Sequence, residues 1–400
     1  MSQTEGSSWV GMVVVGFLAC AFFAALVLGA QTVAWSWGPA LVFLGVATAT
    51  AGFVKHSVRP GWVLRSLLAL ALAWIGFRAW QSPVVDAARA DGLLALSFLA
   101  MAWSVARLGS DPRALRWFSG ALAVAVLGNV GMALVQYARP ESVWPYPTKP
   151  AAAPSGFFGH YNYFANFVGG AGVLLLARAI LARDGLGWRL LFGLGFLAAA
   201  VGVPLSGSRG GTLALGIGLG LLLVGLGVVA WRVRSKWAPV LLVVLPLLVV
   251  GVGVGGWVVF QEVQAERTAA RRSTALDIAD NLARLRWLDL AQKVTARHPW
   301  TGGGSRAFSW ERNQAWDVAE LGRGEENESF VHNELVQTMT DYGLIGAGLV
   351  ILVMGGMFWR VFSRLFMGGE REGAGPDATA VGVLAAGGVW FLSPVRAVAP

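Results

Sequence analysis

The sequence has a single cysteine, Cys20, among 400 residues, which excludes an intrachain disulfide and any cysteine-based metal site. Charge is scarce as well. Asp, Glu, Lys and Arg make up 13% of the chain against 56% hydrophobic residues, where soluble domains carry roughly a quarter charged, and the mean hydropathy is +0.61. Such a chain is expected to be an integral membrane protein. Its apolar runs lack the polar–apolar alternation that a lipid-facing barrel needs. Of the two architectures that satisfy backbone groups in lipid, only helices remain. The first eight residues hold Glu5 but no Lys or Arg, and the apolar run that follows is long for a signal sequence, so it is read as a retained first helix. The net charge of +9 does not point to nucleic acid, because the basic residues are scattered over short connections instead of forming a stripe.

What the chain does have is a succession of apolar runs long enough to cross about 30 Å of hydrocarbon. They fall at about 9–30, 34–54, 62–80, 90–106, 115–137, 162–182, 187–205, 211–231, 237–260 and 335–358, with a shorter one at 379–392. The expected fold is all-α: a polytopic membrane protein of about 10–12 transmembrane helices with one large extracytoplasmic loop containing amphipathic helices. This divides the chain into a bundle over 1–260, a large periplasmic loop over 261–334 and C-terminal transmembrane helices over 335–400.

Alternate connections carry the basic residues. Lys55, Arg59 and Arg65; Arg107, Arg113 and Arg116; Arg178, Arg183 and Arg189; Arg232, Arg234 and Lys236; and Arg360, Arg364 and Arg371 fall on one side, which the positive-inside bias makes cytoplasmic. The opposite side receives 31–33, 81–89, 138–161, 206–210 and 261–334. Within the last, "RSTALDIADNLARLRWLDLAQKVTARHPW" spaces Leu276, Ile278 or Ala279, Leu282, Leu285, Leu288 and Ala291 as an amphipathic helix ended by Pro299. Ten basic and eleven acidic residues over 261–333 argue against a simple anionic-lipid anchor.

Candidate chemistry concentrates on this outer side. "LSGSRGGTL" places Ser208 and Arg209 in a tight turn before a helix N-terminus, where dipole and guanidinium together suit an anion; an interfacial Arg meeting lipid headgroups is the simpler alternative. "RLRW" sets Arg284 and Arg286 on different faces of the amphipathic helix, so at most one points into a central site. "HPWTGGGSRAF" is a helix stop followed by three glycines ending at Gly304; such a turn can offer N–H groups to a phosphate, although it matches no nucleotide-loop spacing. His298 reads as a helix-end residue. In "SGFFGHYNYFANF" the aromatics form an interfacial belt, and Asn162 enters the membrane edge. His332 and Asn333 start the apolar helix of "HNELVQTMTDYGLIG". No His/Asp/Glu cluster has metal-ligand spacing and no nucleophile motif is present, so metal-independent acid–base chemistry with cationic stabilisation is expected, without a cofactor.

These stretches together resemble the O-antigen ligase family, which shares a C-terminal region with O-antigen polymerases and protein O-oligosaccharyltransferases. His332-Asn333, nine residues, Gly343, two residues and Gly346 fit its H-[NSQ]-x9-G-x-x-G pattern. Ser208-Arg209-Gly210, the Gly156–Asn162 stretch and an arginine helix leading to Pro299, Gly302 and Gly304 follow the family's order. The resemblance implies transfer of a glycan from an undecaprenyl-pyrophosphate carrier to an acceptor sugar such as lipid A core, on the periplasmic face of the bacterial inner membrane. It implies that Arg209 and Arg284 bind the donor pyrophosphate, that His332 deprotonates the acceptor hydroxyl, and that Asn162, Ser208, Asn333 and Gly304 support them. The partners implied are the carrier-linked glycan, the acceptor glycan and membrane lipids, with no nucleic acid. In the family an aromatic stands four residues after the arginine; here Leu288 takes that place and Trp287 is displaced by one, which keeps Arg286 as an alternative to Arg284. A polysaccharide polymerase using the same donor is the second enzymatic reading. A transporter or flippase is the reading from another class; it would require polar residues deep in several spans, where Asn129 and Gln136 are among the few candidates.

Overall fold

A computed structural model of the chain describes residues 5–28, 37–54, 62–108, 111–139, 153–181, 184–232, 274–315, 331 and 333–366. Every regular element among them is helical: α1 (Glu5–Val27), α2 (Trp37–Ala51), α3 (Trp62–Trp80), α4 (Val85–Leu108), α5 (Pro112–Ala138), α6 (Tyr161–Leu181), α7 (Leu186–Leu205), α8 (Arg209–Arg232), α9 (Thr274–Arg297), α10 (Phe308–Ala315) and α11 (Glu334–Phe366). Eight of these helices are long and apolar enough to cross a membrane, and α2 is a shorter apolar helix. The protein is thus an all-α polytopic membrane protein, as its hydropathy predicts. The expected spans at 237–260 and 379–392 lie outside the described residues, as do His332 and the C-terminal segment from 367.

The centre of the bundle is α6, two thirds of whose apolar window is buried, against 11% for α3. Small residues let the helices approach α6 closely. A Cβ on Gly172 would collide with Ala199 of α7, and one on Gly211 of α8 would collide with Ala165. Helices in lipid gain nothing from apolar burial as such, so this close backbone approach is how they associate. Phe164, Val168, Phe192, Phe196 and Val203 fill the core between α5, α6 and α7. A second core joins α1, α2, α4 and the start of α5 through Val14, Leu18, Leu44, Ala47 and Leu108. On the other flank α11 runs along α3 and α3 along α4.

Polar contacts gather at the two ends of this bundle. At one end Asp111 caps α5, accepting from the N–H groups of Arg113 and Ala114 at 2.9 and 3.2 Å. Beside it Arg107 donates to the carbonyls of Ala51, Gly52 and Val54 at 2.6 to 3.0 Å, closing the C-terminus of α2. Arg178 pairs with Asp184 at 2.7 Å, and Arg116 approaches the same carboxylate at 3.8 Å. Because α4 and α5 are joined tightly here, the start of α4 and the end of α5 share the opposite end. Asn162 and Ser208, two of the outer candidates of the sequence reading, meet at that end.

Candidate functional site

The first turn of α11 is organised by its own polar side chains. Asn333 Oδ1 accepts from the N–H of Val336 at 3.1 Å and the Asn333 carbonyl from the N–H of Gln337 at 2.8 Å, so Asn333 is the helix cap. One residue before His332, the buried N–H of Val331 donates to Gln337 Oε1 at 2.9 Å. Gln337 Nε2 in turn donates to Asp341 Oδ2 at 2.8 Å. Val331 and Asn333, the two neighbours of His332 in sequence, are therefore both tied to α11.

The amphipathic segment folds as expected into one helix, α9, which stops at Arg297 ahead of Pro299. Its buried face differs from the expected stripe. Leu290, Ala291 and Val294 are buried, while Leu285 is 62% exposed. A strict three-residue spacing drifts by about 60° per step around a helix of 3.6 residues per turn, so a stripe read at that spacing turns Leu285 away from the face formed by Leu290, Ala291 and Val294. That face packs with Phe308 and Val331 in one cluster, flanked by Leu288, Ala315 and Val336. Thr295 and Thr340 meet at 3.1 Å. Arg284 stands seven residues before Ala291 and Arg286 four before Leu290, on opposite flanks of the same stripe. His298, at the helix end, lies 3.5 Å from Glu311 Oε1 and is half-exposed, in keeping with its reading as a terminal residue.

The glycine turn after α9 has a different task from the phosphate cradle the sequence allowed. The N–H groups of Gly302, Gly303 and Gly304 donate to the carbonyls of His298, Thr340 and Asp341 at 2.8, 2.9 and 2.9 Å, so all three are used inside the protein. The turn instead splices into α11 at Gly343, whose φ of 68° interrupts the helix. Past the break, Leu344 and Ile345 donate to the carbonyls of Pro299 and Trp300. A Cβ on Gly343 would collide with the Trp300 carbonyl, one on Gly302 with Asp341, and one on Gly346 with Tyr342 and, at 3.0 Å, with Trp74 Nε1. The two spaced glycines of the motif are thus packing and turn positions. Gly304, at φ 111°, faces Ser82 and Pro83 in the α3–α4 connection.

A buried ion pair, not anticipated from the sequence, locks this assembly to α4. Arg306 Nε and Nη2 reach both oxygens of Asp91 at 2.6 to 3.0 Å. Ser305 Oγ donates to Asp91 Oδ2 at 2.6 Å, and Tyr342 OH lies 3.0 Å from Ser305 Oγ. Arg306 has a left-handed φ of 63°, a strain of about 1–3 kcal/mol for a non-glycine residue that the bidentate pair offsets. From α3, Arg78 donates to the Gly302 carbonyl at 2.6 Å and Trp74 Nε1 to the Tyr342 carbonyl at 2.9 Å.

The second organised region is the start of α8. Gly207, at φ 65°, ends α7, and Ser208 begins the next helix. Its Oγ accepts from the N–H of Gly211 at 3.1 Å and donates to Asn162 Oδ1 at 2.7 Å. Asn162 and Ser208, separately picked from the sequence, are direct partners, and Arg209 is the next residue. The approach to α6 is built from below: Gln136 Oε1 accepts from the N–H groups of Ser155 and Gly156 at 2.9 and 2.8 Å, and Asn129 Oδ1 from that of Phe157 at 3.1 Å. The two polar residues of α5 therefore hold a segment that folds back into the bundle. His160 stacks on Tyr161 at 4.6 Å between centroids and accepts from the Asn162 N–H through Nδ1.

The structure brings Asn162 to Ser208, Arg209's neighbour, and brings Val331, just before His332, to the helix that carries Arg284 and Arg286. The side chains of Arg209 and Arg284 are not described. Asp91, Arg306, Gln337 and Asp341 escaped the sequence reading; the acidic Asp91 in an otherwise apolar run was the one available signal. Among the described residues no group of three or more His, Cys, Asp or Glu could hold a metal.

An all-α polytopic membrane protein with polar networks at both ends of the bundle is the class that the fold defines. Residues 194–351, from mid-α7 to past the break in α11, match the family model described as O-antigen ligase, so this region is similar to that family. The match covers about two fifths of the chain and supports a ligase- or polymerase-like function at a membrane. No curated protein matches the chain in sequence.

Proposed function

We propose that the protein transfers a glycan from an undecaprenyl-pyrophosphate carrier to an acceptor sugar, with lipid A core as the acceptor class, on the periplasmic face of the bacterial inner membrane. The observation that carries this reading is the single buried cluster that joins Val331 to Leu290, Ala291 and Val294. It ties the residue before His332 to the helix of Arg284. In the reaction the acceptor hydroxyl oxygen bonds to the anomeric carbon of the donor sugar as that carbon's bond to the pyrophosphate oxygen breaks. The hydroxyl proton passes to a neutral His332 imidazole, and the carrier pyrophosphate leaves with the bonding pair. Direct attack inverts the anomeric centre.

Each role follows from charge. The leaving pyrophosphate gains charge in the transition state, where guanidinium contacts from Arg209 and Arg284 strengthen. An imidazole with an ordinary pKa near 6.5 is a competent base close to neutral pH, worth about 10²- to 10⁴-fold. Asn162 and Ser208 set the helix start that bears Arg209, and Asn333 caps the helix after His332. No metal enters this scheme. Residues 261–334 act as a loop above the bundle, with Arg286 as the alternative arginine.

Complementation of a ligase-null strain tests the reading. Capped lipopolysaccharide supports the ligase; longer carrier-linked chains without capping would identify a polymerase; and neither product, with carrier-linked glycan moved across vesicles, would identify a flippase. Transporters need polar groups deep within their spans, and the polar contacts of Asn129 and Gln136 are instead spent on the 155–157 backbone.

A further inference from the structure

Trp300, in the turn after α9, is 66% exposed, and among the described residues its indole has neither a hydrogen-bond partner nor a ring partner. Its backbone, by contrast, is held by two helices that are long and apolar enough to cross the membrane. The Trp300 carbonyl accepts from the N–H of Ile345 at 3.2 Å and the Pro299 carbonyl from that of Leu344 at 2.9 Å. Both α11 residues are exposed and lie within its apolar span. Two residues after Trp300, the Gly302 carbonyl accepts from Arg78 at 2.6 Å, and the Ser305 N–H donates to the Arg78 carbonyl at 3.3 Å. Arg78 stands in the last turn of α3, whose apolar span ends at Trp80, and its Nη1 donates to Gln81 just beyond at 2.6 Å. A long cationic side chain at the end of an apolar span reaches for the polar layer. The turn therefore stands at the depth where α3 leaves the hydrocarbon.

We propose that the turn from Pro299 to Gly302 is seated in the interfacial layer of the bilayer, with the Trp300 indole as its anchor. The partner surface is lipid: the ring lies among the upper acyl carbons, and Nε1–H donates to glycerol or phosphate oxygens of the headgroups. An indole suits that layer because its body is apolar and one edge is a donor. The occupant is fixed by continuity. Leu344 and Ile345 belong to the lipid-facing surface of α11, and Trp300 extends this surface across the splice at which the two backbones bond. The turn's own backbone also fits a water-poor layer, where unpaired polar groups are costly. Pro299 has no N–H, the N–H groups of Gly302, Gly303 and Gly304 all donate inside the protein, and the carbonyls of Pro299, Trp300 and Gly302 all accept there. The segment after α9 is thus moored on the membrane surface as well as to the helices beneath it. This inference does not depend on the glycan-transfer reading, and its test needs no activity.

The test is a depth measurement on the full-length protein in vesicles of phosphatidylethanolamine and phosphatidylglycerol. In a Cys20→Ser background, Trp300→Cys carries a nitroxide whose collisions with oxygen and with a water-soluble nickel chelate are compared, calibrated by lipids labelled at the headgroup and along the acyl chain. Leu352→Cys, at an exposed position within the α11 span, gives the hydrocarbon reference. The nitroxide at position 300 is expected between the headgroup label and the upper acyl labels, with a several-fold loss of nickel-chelate collisions relative to a nitroxide in bulk water and less oxygen access than at position 352. If Trp300→Cys does not insert, Thr301→Cys, the next exposed position, takes its place with the same expected depth. Collision rates of a site in bulk water would overturn the proposal by placing the turn above the membrane. Low access to both reagents would overturn it as well, since protein and not lipid would then cover the indole.

Discussion

Arg306 grips Asp91 through Nε and Nη2 across 215 residues of sequence, with the guanidinium 8% and the carboxylate 1% exposed. This pair ties the turn between α9 and α10 to α4. Removing one member of a buried pair leaves the other uncompensated and typically costs about 3–5 kcal/mol. Asp91→Ala is therefore expected to destabilise the protein by that amount and to abolish transfer through loss of the assembly. Thermal unfolding of the purified protein in detergent measures it, and an unchanged midpoint would contradict the clamp.

The glycines of α11 should separate by position. Gly343→Ala places a Cβ against the Trp300 carbonyl at a left-handed φ, costing about 1–3 kcal/mol from backbone strain alone and more from the collision. Gly348→Ala, with open space around its Cβ, should be neutral or stabilise by up to about 1 kcal/mol. Comparable losses in the two variants would argue that the break in α11 is not where the structure puts it.

For the proposed chemistry, His332→Ala, Arg209→Ala and Arg284→Ala should each abolish glycan transfer while the protein remains inserted. Arg286→Ala should retain most of it. The reverse pattern for the two α9 arginines would exchange their roles. Activity in EDTA should be undiminished; a loss restored by a divalent cation would replace the acid–base scheme with a metal-assisted one.

Sidedness is open to a direct measurement. In a Cys20→Ser background, a cysteine replacing the exposed Trp310 should react with a membrane-impermeant thiol reagent added to the periplasm, and one replacing the exposed Arg113 should not. Labelling of the Arg113 position alone would invert the topology and move the candidate site to the cytoplasm.

The helices were readable in the sequence because hydrocarbon thickness imposes run length, and the end of α9 was readable because proline cannot continue a helix. Ser208 and Asn333 were legible as turn and helix-start residues, whose chemistry is local, and Asn162 as a polar residue at the membrane edge. What was hidden depends on distant partners. Nothing near Asp91 announces Arg306, and nothing in three consecutive glycines tells whether their N–H groups meet a phosphate or the carbonyls of Thr340 and Asp341. The break at Gly343 was hidden for a related reason: a single glycine in an apolar run is compatible with a continuous helix until a second backbone is seen against it.

That break changes how the last described helix relates to the bilayer. The apolar part after it, from Leu344 to Trp359, is about 24 Å long at 1.5 Å per residue, short of the roughly 30 Å of hydrocarbon, and Arg360 follows it. The turns just before the break, walled by α9 and the glycine turn, then complete the crossing, which sets the buried Gln337 and Asp341 near the edge of the hydrocarbon. The rigid helix rod that packs along α3 is thereby spliced, at the level where lipid gives way to water, to a turn whose backbone partners all lie inside the protein.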